Sequence, residues 1–305
     1  MLNLKKTRIK AKDIELWMMC IIPVLLIFVF SYLPMGGLII AFKDYKFNKG
    51  IFGSEWTGLK NFELFFSSNE FTKIAFNTIY LNCLFIVFGT LAALAVAILL
   101  FNLKSRLSTK IYQTVMITPH FMSWVIVSYM VYTILCSNGV INNIIQSLGG
   151  ESVDWYSKPE AWPAILTICA IWKNVGMDSV IYYAALMGVD ATLFEAADID
   201  GAGRWKKITK IIIPELTSII TIMTILKIGG IFRADFGLFY NVTLNIGTLY
   251  PTTDVVDTYI YRALKTVNNL GVSTAVGLLQ SLVGFVLVMV TNGIVNKINP
   301  ENALF

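Results

Sequence analysis

Residues 74–103 read IAFNTIYLNCLFIVFGTLAALAVAILLFNL, thirty positions without Asp, Glu, Lys or Arg. A helix rises about 1.5 Å per residue, so roughly 20 apolar residues cross the hydrocarbon core of a bilayer. This run is long enough to cross and longer than a helix in a typical soluble domain. Its neighbours repeat the pattern. Positions 16–42, 111–150 and 266–296 also lack the four charged residue types. The stretch 161–189 is interrupted only by Lys173 and Asp178, and 216–232 only by Lys227. The reading is an all-α integral membrane chain with six transmembrane helices, at about 16–42, 74–101, 111–135, 162–186, 214–232 and 271–296. A tail (1–15) precedes the transmembrane domain (16–305), and a long loop (187–213) joins spans four and five.

Composition agrees. Of 305 residues, 56 % are apolar or aromatic (AVILMFWYC) and only 14 % are charged. The mean hydropathy is +0.68. A soluble domain carries about 25 % charge, and a disordered chain cannot be this apolar. The first run continues too far to be a cleaved signal peptide.

Lys and Arg counts set the expected sidedness. The tail, the 102–110 loop, the 187–213 loop and Lys297 hold thirteen in short segments, against nine in the long segments on the other side. Six spans then put both termini in the cytoplasm. Cys20, Cys83, Cys136 and Cys169 show no metal-site spacing, and His120 is the only histidine. No phosphate loop, GxSxG elbow or GxGxxG is present. Neither an enzyme active site nor a nucleic-acid partner is expected.

The 187–214 segment reads MGVDATLFEAADIDGAGRWKKITKIIIP. Asp190 or Thr192 can cap a short helix, with Glu195 in its first turn near the positive dipole end. Leu193 and Ala197 share a face with Ala196 beside it, and small alanines admit a close partner surface. Asp200-Gly201 is a turn or C-cap signal. A second, basic helix (204–210) leads to Pro214, which the first turn of span five tolerates. By itself this is also compatible with an amphipathic hairpin that seals the bundle.

Glu195-Ala196-Ala197, Gly201, Ile211 and Pro214 closely resemble the EAA loop of permease subunits in binding-protein-dependent ABC importers. The family's usual Leu before the proline is Ile213 here. The stretches SYLPMGGLIIAFKDY (31–45), GSEWTGLKNF (53–62), TPHFMSW (118–124), IWKNVGMDSVIYYAA (171–185) and DVVDTYIYR (254–262) extend the likeness to the subfamily that imports complex oligosaccharides. The resemblance implies a type I importer permease (MetI-like) with a cytoplasmic coupling helix, in a bacterial plasma membrane. It implies a second homologous permease, two cytoplasmic ATPase subunits and an extracellular sugar-binding lipoprotein as partners. ATP and Mg would reside on the ATPases, with no cofactor on this chain. Glu195, Ala196, Ala197, Asp200 and Gly201 would dock in an ATPase cleft, whose closure tilts spans three to six.

An ionisable group in lipid costs at least ~2.5–3.5 kcal/mol, so it should face a cavity or a partner. Lys173 sits roughly 16 Å into span four by helical rise, with Asp178 five residues on. That spacing does not pair them on one helix. Trp172, Asn174, Met177, Asp178 and Tyr182 of span four, with Lys227, Gly230 and Arg233 of span five, are the candidates for the substrate path. Sugars are recognised by aromatic faces and directional hydrogen bonds, and both are present. Lys173 and Asp178 have packing or a partner permease as an equal alternative. Pro119 should kink span three, with His120 bonding the freed carbonyl. The outer 233–270 segment should fold against the bundle mouth and meet the binding protein.

Two other readings stand beside the importer. A self-sufficient secondary transporter or channel would need its own coupling-ion site, often with an inverted repeat, and no repeat is visible. A non-transporting scaffold or sensor subunit would be dispensable for uptake.

Overall fold

The computed structural model describes residues 11–303 apart from 69, 104, 266–267 and 299. The basic residues expected to mark the inner side at 1–10, and Lys104, lie outside the described residues. The chain divides into two compact units, one running up to Phe66 and taking in Ala263–Leu278, the other comprising Ser67–Arg262 and the chain from Leu279. Among the described residues, six helices are long and apolar enough to cross a membrane.

In the first unit α1 (Ala11–Ile27) continues as a π turn (Phe28–Tyr32) and a 3-10 stretch (Leu33–Phe42). Its apolar side chains are broadly exposed, Trp17 by 70 % and Phe30 by 74 %. That exposure would be an aggregation hazard in water and is ordinary against lipid. After span one comes a minimal hairpin, β1 (Lys43–Asp44) against β2 (Glu55–Trp56), antiparallel with Lys43 opposite Trp56. Helix α2 (Lys60–Phe66) follows. Its buried Asn61 donates to the carbonyls of Ala41 (2.9 Å) and Lys43 (3.0 Å), tying it to the end of span one.

The second unit holds the other polar features. Helix α3 (Phe71–Phe101) is span two, α4 (Arg106–Ile117) and α5 (Trp124–Leu135) make the third predicted span, and α6 (Val140–Ser147) is a short helix after it. Helix α7 (Trp162–Leu186) is span four, α8 (Ala191–Ile199) lies in the 187–213 loop, α9 (Arg204–Lys207) opens span five and α10 (Thr217–Gly229) completes it. Helix α11 (Val256–Lys265) precedes α12 (Leu270–Ile298), which is span six.

Three expectations need correction. The third span is broken rather than kinked. A 3-10 turn (Thr118–Phe121) ends α4, and Met122 and Ser123 are extended. Pro119 removes one N–H, and Ser123 restarts the helix by accepting from the N–H of Ile126 at 3.3 Å. The apolar stretch of spanning length begins at Trp124 and runs to Ser147. Span five begins early, at Arg204, and ends at Gly229 rather than 232. The basic helix is not separate from it, because a π turn (Ile208–Ile212) precedes Pro214 and opens the ladder where the proline lacks its donor. His120 does not hydrogen-bond the freed carbonyls. Lys173 does, as described below.

Two apolar clusters form the core of this unit. One joins Leu81, Val127, Trp162, Leu166, Phe239 and Val242. The other joins Ala93, Leu94, Ala97, Tyr182, Leu186, Ile212 and Leu216, with Phe101 and Phe194 against it. Asn77 donates to the carbonyls of Pro251 and Asp254, both at 3.2 Å. Thr78 accepts from the N–H of Val256 at 3.0 Å. These bonds hold the segment 250–262 on the start of α3.

Candidate functional site

Polar residues on four helices converge on a cavity of about 290 Å³. Asn82, Phe85 and Gly89 come from α3, Trp124 from the start of α5, Asn174 and Asp178 from α7, and Lys227 from α10. Asp235, six residues beyond the end of α10, also lines it. The Lys227 ammonium donates to Asp178 Oδ2 at 2.8 Å. Both side chains are about 30 % exposed, so the pair is wetted from the cavity rather than sealed. Trp124 Nε1 donates to Asp235 Oδ2 at 2.7 Å. Asn82 Nδ2 donates to Ile231 O at 2.9 Å, fixing the turn that leads to Asp235. His120 Nδ1 and Asn174 Oδ1 lie 3.2 Å apart. The wall thus offers an indole, two amides, two carboxylates and an ammonium. That mixture suits hydroxyl-rich ligands, and its ionic groups already have partners.

Lys173, one residue before Asn174, turns away from this cavity. It is buried, and its ammonium donates to the carbonyls of His120 and Met122, both at 2.7 Å, with Pro119 O at 3.4 Å. Gly176 permits this closeness. A Cβ there would stand 1.9 Å from Met116 O, so the backbones of α7 and α4 touch.

In the 187–213 loop, Asp190 caps α8, accepting from the N–H of Thr192 at 2.9 Å. Hydrogen bonds from the Thr192 backbone and side chain hold its carboxyl below the usual aspartate range. With Asp190 as cap, Glu195 falls in the second turn of α8, not the first. Gly201 has φ +68°, the left-handed conformation that ends the helix. Asp198 accepts from Lys207, bridging α8 to α9. Phe194 stacks toward Phe101 with centroids 5.5 Å apart. Glu195, Ala196, Asp200 and Gly201 are exposed and Ala197 half-buried. Ile199 (87 %) and Trp205 (76 %) are bare. The capped helix thus presents exposed apolar flanks beside its polar face.

Residues 85–300 match the profile of the family described as binding-protein-dependent transport system inner membrane component. The chain belongs to this family. It is 35 % identical over 293 residues to protein LplB of Bacillus subtilis (strain 168), covering 95 % of this chain and 91 % of that one. It is 36 % identical over 301 residues to the polygalacturonan/rhamnogalacturonan transport system permease protein YteP of the same organism, covering 97 % and 93 %. A chain of a bacterial alginate ABC transporter, solved with an alginate pentasaccharide-bound periplasmic protein, superposes with a TM-score of 0.84 at 33 % identity, covering 94 % and 96 %. The protein is a multi-pass membrane permease subunit of an ABC importer.

For this permease, the structure brings Asn174, Asp178 and Lys227 to one cavity. It leaves the other path candidates elsewhere. Trp172 and Met177 are 40 % and 43 % exposed, off the cavity lining. Tyr182 is buried in the inner apolar cluster. Gly230 and Arg233 line a separate groove of about 360 Å³ with Gln280 and Ser281. Sequence reasoning did not weigh Asn82, Trp124 or Asp235 as path residues. An Asn inside the uncharged 74–103 run was the available signal for Asn82. Trp124 and Asp235 sit at helix ends, where aromatic and charged residues are ordinary.

Proposed function

We propose that this permease forms one half of the path for an oligosaccharide handed over by an extracellular binding protein. The carrying observation is the polar cavity floored by the Asp178–Lys227 pair. The sugars named for two relatives, polygalacturonan/rhamnogalacturonan and alginate, support an oligosaccharide. The second half comes from a homologous permease, and two cytoplasmic ATPases supply ATP and Mg chemistry that this chain lacks. The coupling loop 187–213 transmits their closure through Glu195, Ala196, Ala197, Asp200 and Gly201. Both termini are cytoplasmic, which places α8 and the basic start of span five on the ATPase side of a bacterial plasma membrane.

The test is uptake by the complete complex in proteoliposomes, with ATP trapped inside and binding protein outside. The radiolabelled panel contains oligogalacturonates, rhamnogalacturonan fragments, alginate oligomers and neutral arabino-oligosaccharides. ATP-dependent uptake of one of these is expected. Uptake driven by an ion gradient without ATP would identify a secondary transporter instead.

A further inference from the structure

Lys173 has no role in the path proposed above, yet it is among the most enclosed charges in the spans, at 7 % exposure. A buried ammonium persists only when its donors are met. An ammonium has three, and Lys173 faces the carbonyls of His120, Met122 and, at longer reach, Pro119. These carbonyls converge because span three is broken. Extended backbone at Met122 and Ser123 takes His120 O and Met122 O out of helical register, and the N–H of Ile126 goes to the Ser123 side chain. Carbonyl oxygens left this way in an apolar span need a donor or a cation. They form a cage for a positive charge, and the cation in it is tethered to span four. The same ammonium lies 5.2 Å from the centroid of the Trp124 ring. The far edge of that indole donates to Asp235. Trp124 is thus restrained at its face by a cation and at its nitrogen by a carboxylate.

We propose that Lys173 is a positioning residue. It fills the carbonyl cage at the break in span three and so sets the Trp124 indole against the cavity. It touches no substrate. The consequence for sugar affinity rests on reading the cavity as the path. The consequence for the indole does not.

Two measurements separate these. The first is the 19F spectrum of the assembled complex carrying 5-fluorotryptophan, with the Trp124 resonance assigned by its loss in Trp124→Phe. In Lys173→Met this resonance should shift and broaden, and in Lys173→Arg it should stay sharp. An unmoved Trp124 resonance in Lys173→Met overturns the proposal. Should Lys173→Met fail to assemble, Lys173→Gln, too short to reach the cage, takes its place: a shifted, broadened resonance supports the proposal and an unmoved one overturns it. The second is the half-saturating concentration for uptake of the best-transported panel oligosaccharide, read as a double-mutant cycle. Lys173→Met should raise it about tenfold in the native background and less than about twofold in Trp124→Phe. Equal increases in both backgrounds would show that Lys173 does not act through Trp124. If Trp124→Phe alone changes nothing in uptake while the resonance shift holds, the cavity is not the sugar path, and the positioning of the indole stands by itself.

Discussion

Replacing Lys227 by Met removes the cation from the cavity floor and leaves the Asp178 carboxylate alone. At 2.8 Å the attraction between the two charges is about 6 kcal/mol at an effective dielectric of 20, and about 1.5 kcal/mol in bulk water. Both groups are about 30 % exposed to the cavity, so solvent screening pulls the value toward the lower figure. A net penalty of about 1–2 kcal/mol for a stranded partner follows, or roughly a 5–30-fold effect. The sign pattern tells more than the size. Either single neutralisation, Lys227→Met or Asp178→Asn, strands a charge, whereas the double neutral variant strands none. Uptake per assembled complex should therefore fall in each single variant and recover in part in the double. The charge-swapped pair, Asp178→Lys with Lys227→Asp, should lie nearer the native rate than either single. The assay is ATP-driven uptake in proteoliposomes, normalised to the permease copurifying with its ATPase. Additive losses in the double variant would refute the pairing argument, because two independent contacts add and one shared contact does not.

Three further outcomes are expected. Glu195→Lys or Gly201→Asp should leave ATP hydrolysis running while uptake is lost, and normal transport in both at normal expression would remove the coupling role from this loop. Gly176→Ala places a methyl 1.9 Å from Met116 O, so α4 and α7 must separate; overpacking of this kind costs about 1–3 kcal/mol, read as a lower thermal midpoint of the purified complex. Asp257 accepts from the N–H of Ala234 at 2.7 Å and from Gln280 at 3.1 Å, and burial raises its carboxyl above the ordinary 3.8 despite those bonds. The folded chain therefore holds this proton to higher pH than the unfolded chain. The thermal midpoint should fall as pH rises from 3.8 through the raised value, and Asp257→Asn should flatten that slope.

The features around the 187–213 loop pack together. Phe194 of α8 meets Phe101 at the end of α3, and both pack on the cluster that contains Tyr182 and Leu186. Tyr182 stands one helical turn from Asp178 on α7. A displacement of α8 under the proposed coupling thus meets, through Phe194, a packed cluster that reaches to one helical turn from Asp178. Close-packed interiors transmit strain, which gives the Glu195 and Gly201 variants a physical route to the ion pair.

The amount legible in the sequence differed by kind of feature. Span two was expected at 74–101 and is observed as Phe71–Phe101. An uncharged run announces itself, because each charge moved into lipid is costly whatever surrounds it. The cost of Lys173, Asp178 and Lys227 was legible for the same reason. Their partners were not. Lys227 pairs with a residue 49 positions away, and Lys173 with carbonyls 51 to 54 positions away. The second pairing also decided secondary structure. Pro119 in an apolar run reads as a kink, and whether the helix bends or stops depends on whether something else satisfies the freed carbonyls. Here Lys173 does so from another helix, with Gly176 letting that helix close enough to reach. Spacing along one helix exposes the cost of a charge, whereas its partner is set by how two helices cross, and crossing depends on side chains from both.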